Sequence, residues 1–221
     1  MERWTNLETP HGPVRAWRCD PSGPSRGAVL VIQEIFGVNA HIRDVTARMA
    51  AEGFIAVAPA LFDLVESGVE LPYDQAGIAR GLALRSATGF DRAVDVLGTA
   101  SRALQREGLR VGASGFCWGG TLALLTNTRL GLPAVSWYGG SNVPFLDEPL
   151  RAPMLFHFGA RDRSIPREHV ELHRQRHPGA TIHVYPDAGH GFNCEPRKDY
   201  EPESARLAWS RTVAFLTENL R

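Results

Sequence analysis

Three side chains able to perform acyl transfer follow one another along this chain. Cys117 lies within Gly115-Phe116-Cys117-Trp118-Gly119-Gly120, Asp162 within Gly159-Ala160-Arg161-Asp162-Arg163-Ser164, and His190 within Asp187-Ala188-Gly189-His190-Gly191-Phe192. A thiol attacks carbonyl carbon as its thiolate, so it needs a base to take its proton and an acid to orient that base. An imidazole held by a carboxylate meets both needs. Gly-x-Cys-x-Gly is the thiol form of the nucleophile elbow, a cramped strand-to-helix turn whose flanks must be small because a side chain there would strike neighbouring backbone. A helix beginning just beyond Cys117 would aim backbone N–H groups and a partial positive charge at the sulfur. Taken alone, a free cysteine at a tight turn is an ordinary small apolar residue. The strand-to-helix setting, with an acid and a histidine downstream, favours the chemical reading. Asp187 is a rival acid, but it lies only a few residues before His190 and reads as a turn former.

Such groups must be held by a scaffold, and the surrounding pattern specifies one. Residues 28–33 (Ala-Val-Leu-Val-Ile-Gln) are a short apolar run of the kind buried on both faces of a parallel sheet. Ile42, Val45, Met49 and Ala50 then recur at helical spacing, and Gly53 stops the segment. Strands are expected at 54–58, 109–113, 134–138, 154–159 and 181–185. Helices are expected from Asp91 to about Leu104, beyond the elbow, at about 167–176 and at about 204–220. Residues 61–88 follow no clean period and receive little structure. Strands alternating with helices predict an α/β fold with a mostly parallel central sheet and helices on both faces, as a single domain over residues 1–221. Ligands of such sheets bind at the carboxyl ends of the strands, and Cys117, Asp162 and His190 each follow a predicted strand.

Composition removes several functional classes. The 24 basic and 24 acidic residues balance, so no general attraction to nucleic acid or an anionic membrane is expected. No apolar run is long enough to span a bilayer and the start lacks a signal-type apolar region, which points to a cytoplasmic protein. Cys19, Cys117 and Cys194 are too few and scattered for a disulfide framework. No Gly-rich phosphate loop occurs, and no cofactor is expected. His169, His173 and His177 recur at helical spacing but sit among Arg167, Arg174 and Arg176 without matching ligands; a solvated helix face, not a metal site, is the reading.

Four blocks in order, VIQEIFGVNAHIRDVTARMAAEGFIAVAPALF, GFCWGG, FGARDRSIP and YPDAGHGF, resemble the dienelactone hydrolase (carboxymethylenebutenolidase) family, and the resemblance runs from Ala28 to Leu220. It implies an α/β-hydrolase fold and a Cys117, Asp162 and His190 triad. It further implies an oxyanion hole made by the backbone N–H groups of Ile35 and Trp118, and a role for Glu34 beside the thiol. A carboxylate there could activate the thiol or, by like-charge repulsion, hold it unreactive. Phe36, Trp137, Tyr138 and Phe192 are candidate pocket residues, although aromatic residues often serve only as core. One departure matters. The family's carboxylate-binding arginine soon after the histidine is replaced here by Cys194, and none is matched around Tyr73 and Asp74; Arg80, Arg85 or Arg197 would have to substitute. The expected partner is a small ester or lactone, cleaved through a thioester intermediate. The alternatives are an acyl-binding protein with little turnover, and a redox thiol protein, against which the absence of Cys-x-x-Cys counts.

Overall fold

The structure, a computed structural model, describes residues 1–220. These residues build two compact units, Met1–Gly112 with Leu220, and Ala113–Asn219.

In the first unit, the apolar run 28–32 becomes β3 (Ala28–Ile32), all five residues buried as expected for a parallel strand. The helix α1 (Ala40–Ala51) follows. Asn39 caps it, its side chain accepting the Ile42 N–H, and Ile42, Val45 and Met49 form its buried stripe. Past Gly53, whose φ of 93° suits glycine, β4 (Ile55–Pro59) pairs parallel with β3. Two strands that the sequence reading passed over precede these. β1 (Glu2–Thr9) and β2 (Gly12–Cys19) form an antiparallel hairpin, and β2 pairs antiparallel with β4, giving the order β1-β2-β4-β3. Residues 61–88 hold more structure than expected: a 3-10 turn at Leu61–Leu64 and the helix α2 (Gln75–Thr88), capped by the Asp74 side chain on Gly77 N–H. The helix α2 is illegible by hydrophobic period because Gly77 and Gly81 face inward while Ile78 and Leu82 face solvent. The helix α3 (Phe90–Arg106) runs close to its expected span.

The second unit is built on parallel strands in the order β5-β6-β7-β8. They are β5 (Val111–Phe116), which enters the unit at Ala113, β6 (Ala134–Trp137), β7 (Met154–Gly159) and β8 (Thr181–Tyr185). The helix α4 (Trp118–Leu130) joins β5 to β6 and ends on Gly131 in the left-handed conformation; α5 (Arg167–Arg176) joins β7 to β8, and α6 (Pro202–Asn219) follows. The strand expected at 109–113 extends instead to Phe116, the residue before Cys117. The expected solvated histidine face on and just beyond α5 is a correction. His173 and His177 are buried rather than solvated. Nδ1–H of His173 donates to the His169 carbonyl at 2.7 Å, which leaves Nε2 to accept from Asn142 Nδ2 at 3.0 Å; burial pushes the His173 pKa down to about 4. Mostly parallel strands with intervening helices define the α/β class that the alternating pattern predicts.

Candidate active site

Cys117 stands between β5 and α4 with φ 56° and ψ −113°, a conformation that L side chains rarely adopt and that costs about 1–3 kcal/mol at such sites. Its surroundings explain why it persists. A Cβ on Gly115 would lie 1.9 Å from the Gly119 carbonyl oxygen, and one on Gly120 would lie 2.6 Å from that of Trp137, so any larger residue at either position would open the turn. The Cys117 N–H donates to the Trp137 carbonyl at 3.0 Å, while its own carbonyl accepts from Gly120 N–H at 2.9 Å. The turn is thereby fastened to β6 on one side and to its own helix on the other. Trp118 is the first residue of α4, where the backbone N–H has no acceptor within the helix.

Asp162 and His190 reach the elbow from loops that follow β7 and β8. The two loops are tied together: Arg161 N–H donates to the Ala188 carbonyl at 2.9 Å, and Ala160 N–H to that of Tyr185 at 2.8 Å. Gly159 makes room for this crossing, since a Cβ there would lie 2.4 Å from the Ala188 oxygen. His190 Nδ1 lies 2.8 Å from Asp162 Oδ2, and Nε2 lies 3.1 Å from Cys117 Sγ. The Asp162 side chain is completely buried; its other oxygen accepts the Ser164 N–H at 2.8 Å. An ionised carboxylate so placed fixes Nδ1 as a donor and turns Nε2 toward sulfur. Asp187, the rival acid, is exposed and pairs with Arg161.

Electrostatics favour a charged ring. Burial disfavours the imidazolium of His190, but the charge on Cys117 and the bonds to Asp162 and to the sulfur outweigh it, pushing its pKa up to about 10. Proton transfer from sulfur to this ring would leave a thiolate beside an imidazolium, the form in which a cysteine attacks carbonyl carbon.

The aromatic candidates divide. Tyr138 is buried with φ 42°, and its ring meets His190 edge-on at 5.3 Å; Phe192 packs on Tyr138 at 5.4 Å. Trp137 belongs to the core, where it stacks on Phe116, contacts the His157 ring at 4.6 Å and donates Nε1–H to Ser114 Oγ at 3.2 Å. Glu34, Ile35 and Phe36 are all buried in the loop after β3 of the first unit.

A cleft of about 680 Å³ opens beside His190 and is lined by Arg161, Arg163, Arg197, Lys198 and Tyr200, among others. Of the three arginines named as substitutes, Arg197 is the one on this cleft: its guanidinium lies over Gly191, where a Cβ would stand 2.7 Å from Cζ. Arg80 instead pairs with Glu66. Arg161, Arg163 and Lys198 escaped the sequence reading, although two of them flank Asp162 and the third adjoins Arg197.

Parallel strands, an elbow at the end of β5, and a carboxylate and a histidine on the loops after β7 and β8 define an α/β-hydrolase. The family model for the dienelactone hydrolase family matches residues 14–220, and the chain belongs to that family as one of its hydrolases. A protein of Escherichia coli (strain K12) named "Putative carboxymethylenebutenolidase" is 39% identical over 211 residues, covering 86% of this chain and 76% of the relative. A relative of the same name from Yersinia pestis is 36% identical over 210 residues, covering 86% and 78%. Among solved structures, the "Putative Dienelactone Hydrolase" of Klebsiella pneumoniae superposes with a TM-score of 0.88 at 32% identity, covering 99% of this chain and 98% of that one. No helix among the described residues is long and apolar enough to cross a membrane.

Proposed function

We propose that this protein hydrolyses a lactone or small carboxylic ester through a Cys117, His190 and Asp162 triad and a thioester acyl-enzyme. The observation that carries the reading is the continuous chain from Sγ through the imidazole to a buried carboxylate, at 3.1 and 2.8 Å. The Cys117 thiolate attacks the carbonyl carbon, forming the S–C bond and placing the electron pair on oxygen. Backbone N–H groups of Ile35 and Trp118 receive that oxyanion, as in other α/β-hydrolases, where one donor follows the nucleophile and one comes from an early loop. When the intermediate collapses, the ester C–O bond breaks and His190 Nε2 gives its proton to the departing alkoxide. Water then gives a proton back to His190 as it attacks the thioester. Expulsion of sulfur releases the carboxylic acid and restores the pair. Asp162 stabilises the imidazolium without taking its proton.

Glu34 has the regulatory part in this reading: a buried carboxylate that biases the thiol between its protonated and ionised forms. Tyr138 packs on the ring of His190 and Phe192 backs Tyr138. The cleft beside His190, where Arg197 and Lys198 stand among Asp187, Asp199 and Glu201, receives a polar substituent of the substrate in this reading, in place of the family arginine whose position carries Cys194. The test is turnover of p-nitrophenyl acetate by wild type and Cys117→Ala. Wild type should release p-nitrophenol in a burst of about one equivalent, and Cys117→Ala should show neither burst nor turnover; undiminished turnover by Cys117→Ala contradicts the mechanism.

A further inference from the structure

The loop that carries Ile35 is gripped along its length by one stretch of the first unit, residues 69–81. At its far end, Gly37 takes φ 80° and lies so close to the Val69 carbonyl that a Cβ would stand 2.0 Å from its oxygen. Leu71 N–H donates to the Phe36 carbonyl at 2.9 Å. The Phe36 ring packs on Tyr73 at 4.5 Å, and the Tyr73 hydroxyl accepts from Asn39 Nδ2 at 2.9 Å. At the near end, Gly81 of α2 sits directly against Ile35: a Cβ there would lie 2.2 Å from the Ile35 oxygen and 3.2 Å from the Ile35 Cβ. One turn earlier, Gly77 lies against the Pro72 carbonyl, with a Cβ placed 2.0 Å from its oxygen, so α2 also grips the strap that leads into it.

Two helical glycines facing inward are costly, since glycine weakens a helix interior and a larger apolar residue would normally fill that face. Each is needed here for approach to a backbone carbonyl. An oxyanion donor acts only if it is already aimed at the oxygen as charge develops, and small misplacement forfeits much of its effect. We infer that residues 69–81 are a positioning clamp for the backbone of Ile35, whose N–H is the donor and whose carbonyl and Cβ Gly81 touches, and that Gly81 sets its place. The inference rests on the Ile35 role proposed above. Gly81 touches no reacting atom; it acts through Ile35. Relief of a 2.2 Å approach to the usual C···O separation requires a shift of roughly 1 Å.

The experiment compares Gly81→Ala and Tyr73→Ala with wild type in two assays. The first is steady-state turnover of p-nitrophenyl acetate, and the second is alkylation of Cys117 by iodoacetamide, which reports the sulfur and imidazole without forming an oxyanion. Cys19 and Cys194 are buried and leave Cys117 as the accessible thiol. For Gly81→Ala the clamp requires kcat to fall by about tenfold to a hundredfold at a nearly constant KM. Alkylation should stay within about twofold of wild type. Tyr73→Ala should show a smaller fall in kcat with the same split, and it decides the matter if Gly81→Ala does not fold. A folded Gly81→Ala with wild-type kcat, or alkylation that falls in step with kcat, overturns the clamp. Two controls keep its failure apart from failure of the mechanism. If Cys117→Ala and Ile35→Pro, which removes the donor N–H, are both inactive while Gly81→Ala is fully active, the clamp alone is wrong. If either control turns over normally, the mechanism itself is wrong.

Discussion

His157 and His190, in two regions of the same unit, show how surroundings assign opposite tasks to one kind of side chain. His157 lies within β7, completely buried among neutral partners. Arg211 donates to the Tyr185 oxygen at 3.2 Å, so the Tyr185 hydroxyl directs its proton to His157 Nδ1 at 2.9 Å, and Nε2–H is left to donate to Thr212 Oγ1 at 2.9 Å. Burial, with His183 and Arg211 nearby, holds its pKa well below the usual imidazole value. His190 occupies a loop beyond β8, between a buried carboxylate and a sulfur, and its pKa is pushed the other way. Burial disfavours the proton at both rings; the difference lies in the charges within contact. The comparison teaches that a buried ring is driven toward its charged form where a carboxylate and a sulfur flank its two nitrogens, and held neutral where hydroxyls do.

The largest effect that can break this comparison is in the loops. Asp162→Asn should lower kcat by about 10⁴-fold, because the amide neither fixes the ring nor stabilises its charge. Asp187→Asn, at an exposed pair, should leave kcat within about twofold. Equal losses in the two variants would remove Asp162 from its assigned place. Next in size, His157→Phe should destabilise the fold by about 1–3 kcal/mol in urea denaturation, since it strips Tyr185 and Thr212 of a buried partner, while kcat changes little. A loss of activity comparable to that of Asp162→Asn would erase the distinction between the rings.

The finest effect is a slope of stability against pH, under about 1.4 kcal/mol per pH unit for each titrating group. The folded-state pKa of His190 is raised from 6.5 to about 10, so its stabilisation is complete below pH 6.5 and fades as pH climbs toward 10. That of His173 is lowered from 6.5 to about 4, so its contribution is complete above pH 6.5 and is lost as pH falls toward 4. Urea midpoints measured from pH 4 to 10 should therefore slope down on both sides of 6.5. The alkaline limb should flatten in His190→Gln and the acid limb in His173→Gln.

How much of this was legible in the sequence depended on whether function and burial leave a local mark. The strands β3 and β7 were readable because apolar runs end abruptly at turn residues, β8 because β-branched and aromatic residues lead into Pro186-Asp187, and the elbow because Gly-x-Cys-x-Gly is forced by steric crowding. Cys117, Asp162 and His190 were found from strand-end position and chain order, and the fold brings them within hydrogen-bonding range. The hairpin β1–β2 was missed because β1 alternates between exposed and half-buried residues, and in β2 the buried Val14, Ala16 and Cys19 are separated by Arg15, Trp17 and Arg18, so neither strand shows an apolar run. The helix α2 was missed because two of its four inward residues, Gly77 and Gly81, are glycines that admit close backbone approach and are invisible to a hydrophobic period, while Ile78 and Leu82 face solvent. The buried His173 is satisfied by Asn142, far away in sequence, and the mixed charged lining of the cleft comes from loops brought together only by folding. The boundary between the two units falls inside β5, where no linker composition could mark it.

The most direct test of the account is to stop the reaction with p-nitrophenyl acetate by acid during the burst and locate the acyl group by peptide mass mapping. The account predicts about one acetyl group per chain, on the peptide containing Cys117, removed by hydroxylamine as a thioester is. An acetyl group carried on a different side chain, or a burst with none on Cys117, would contradict it.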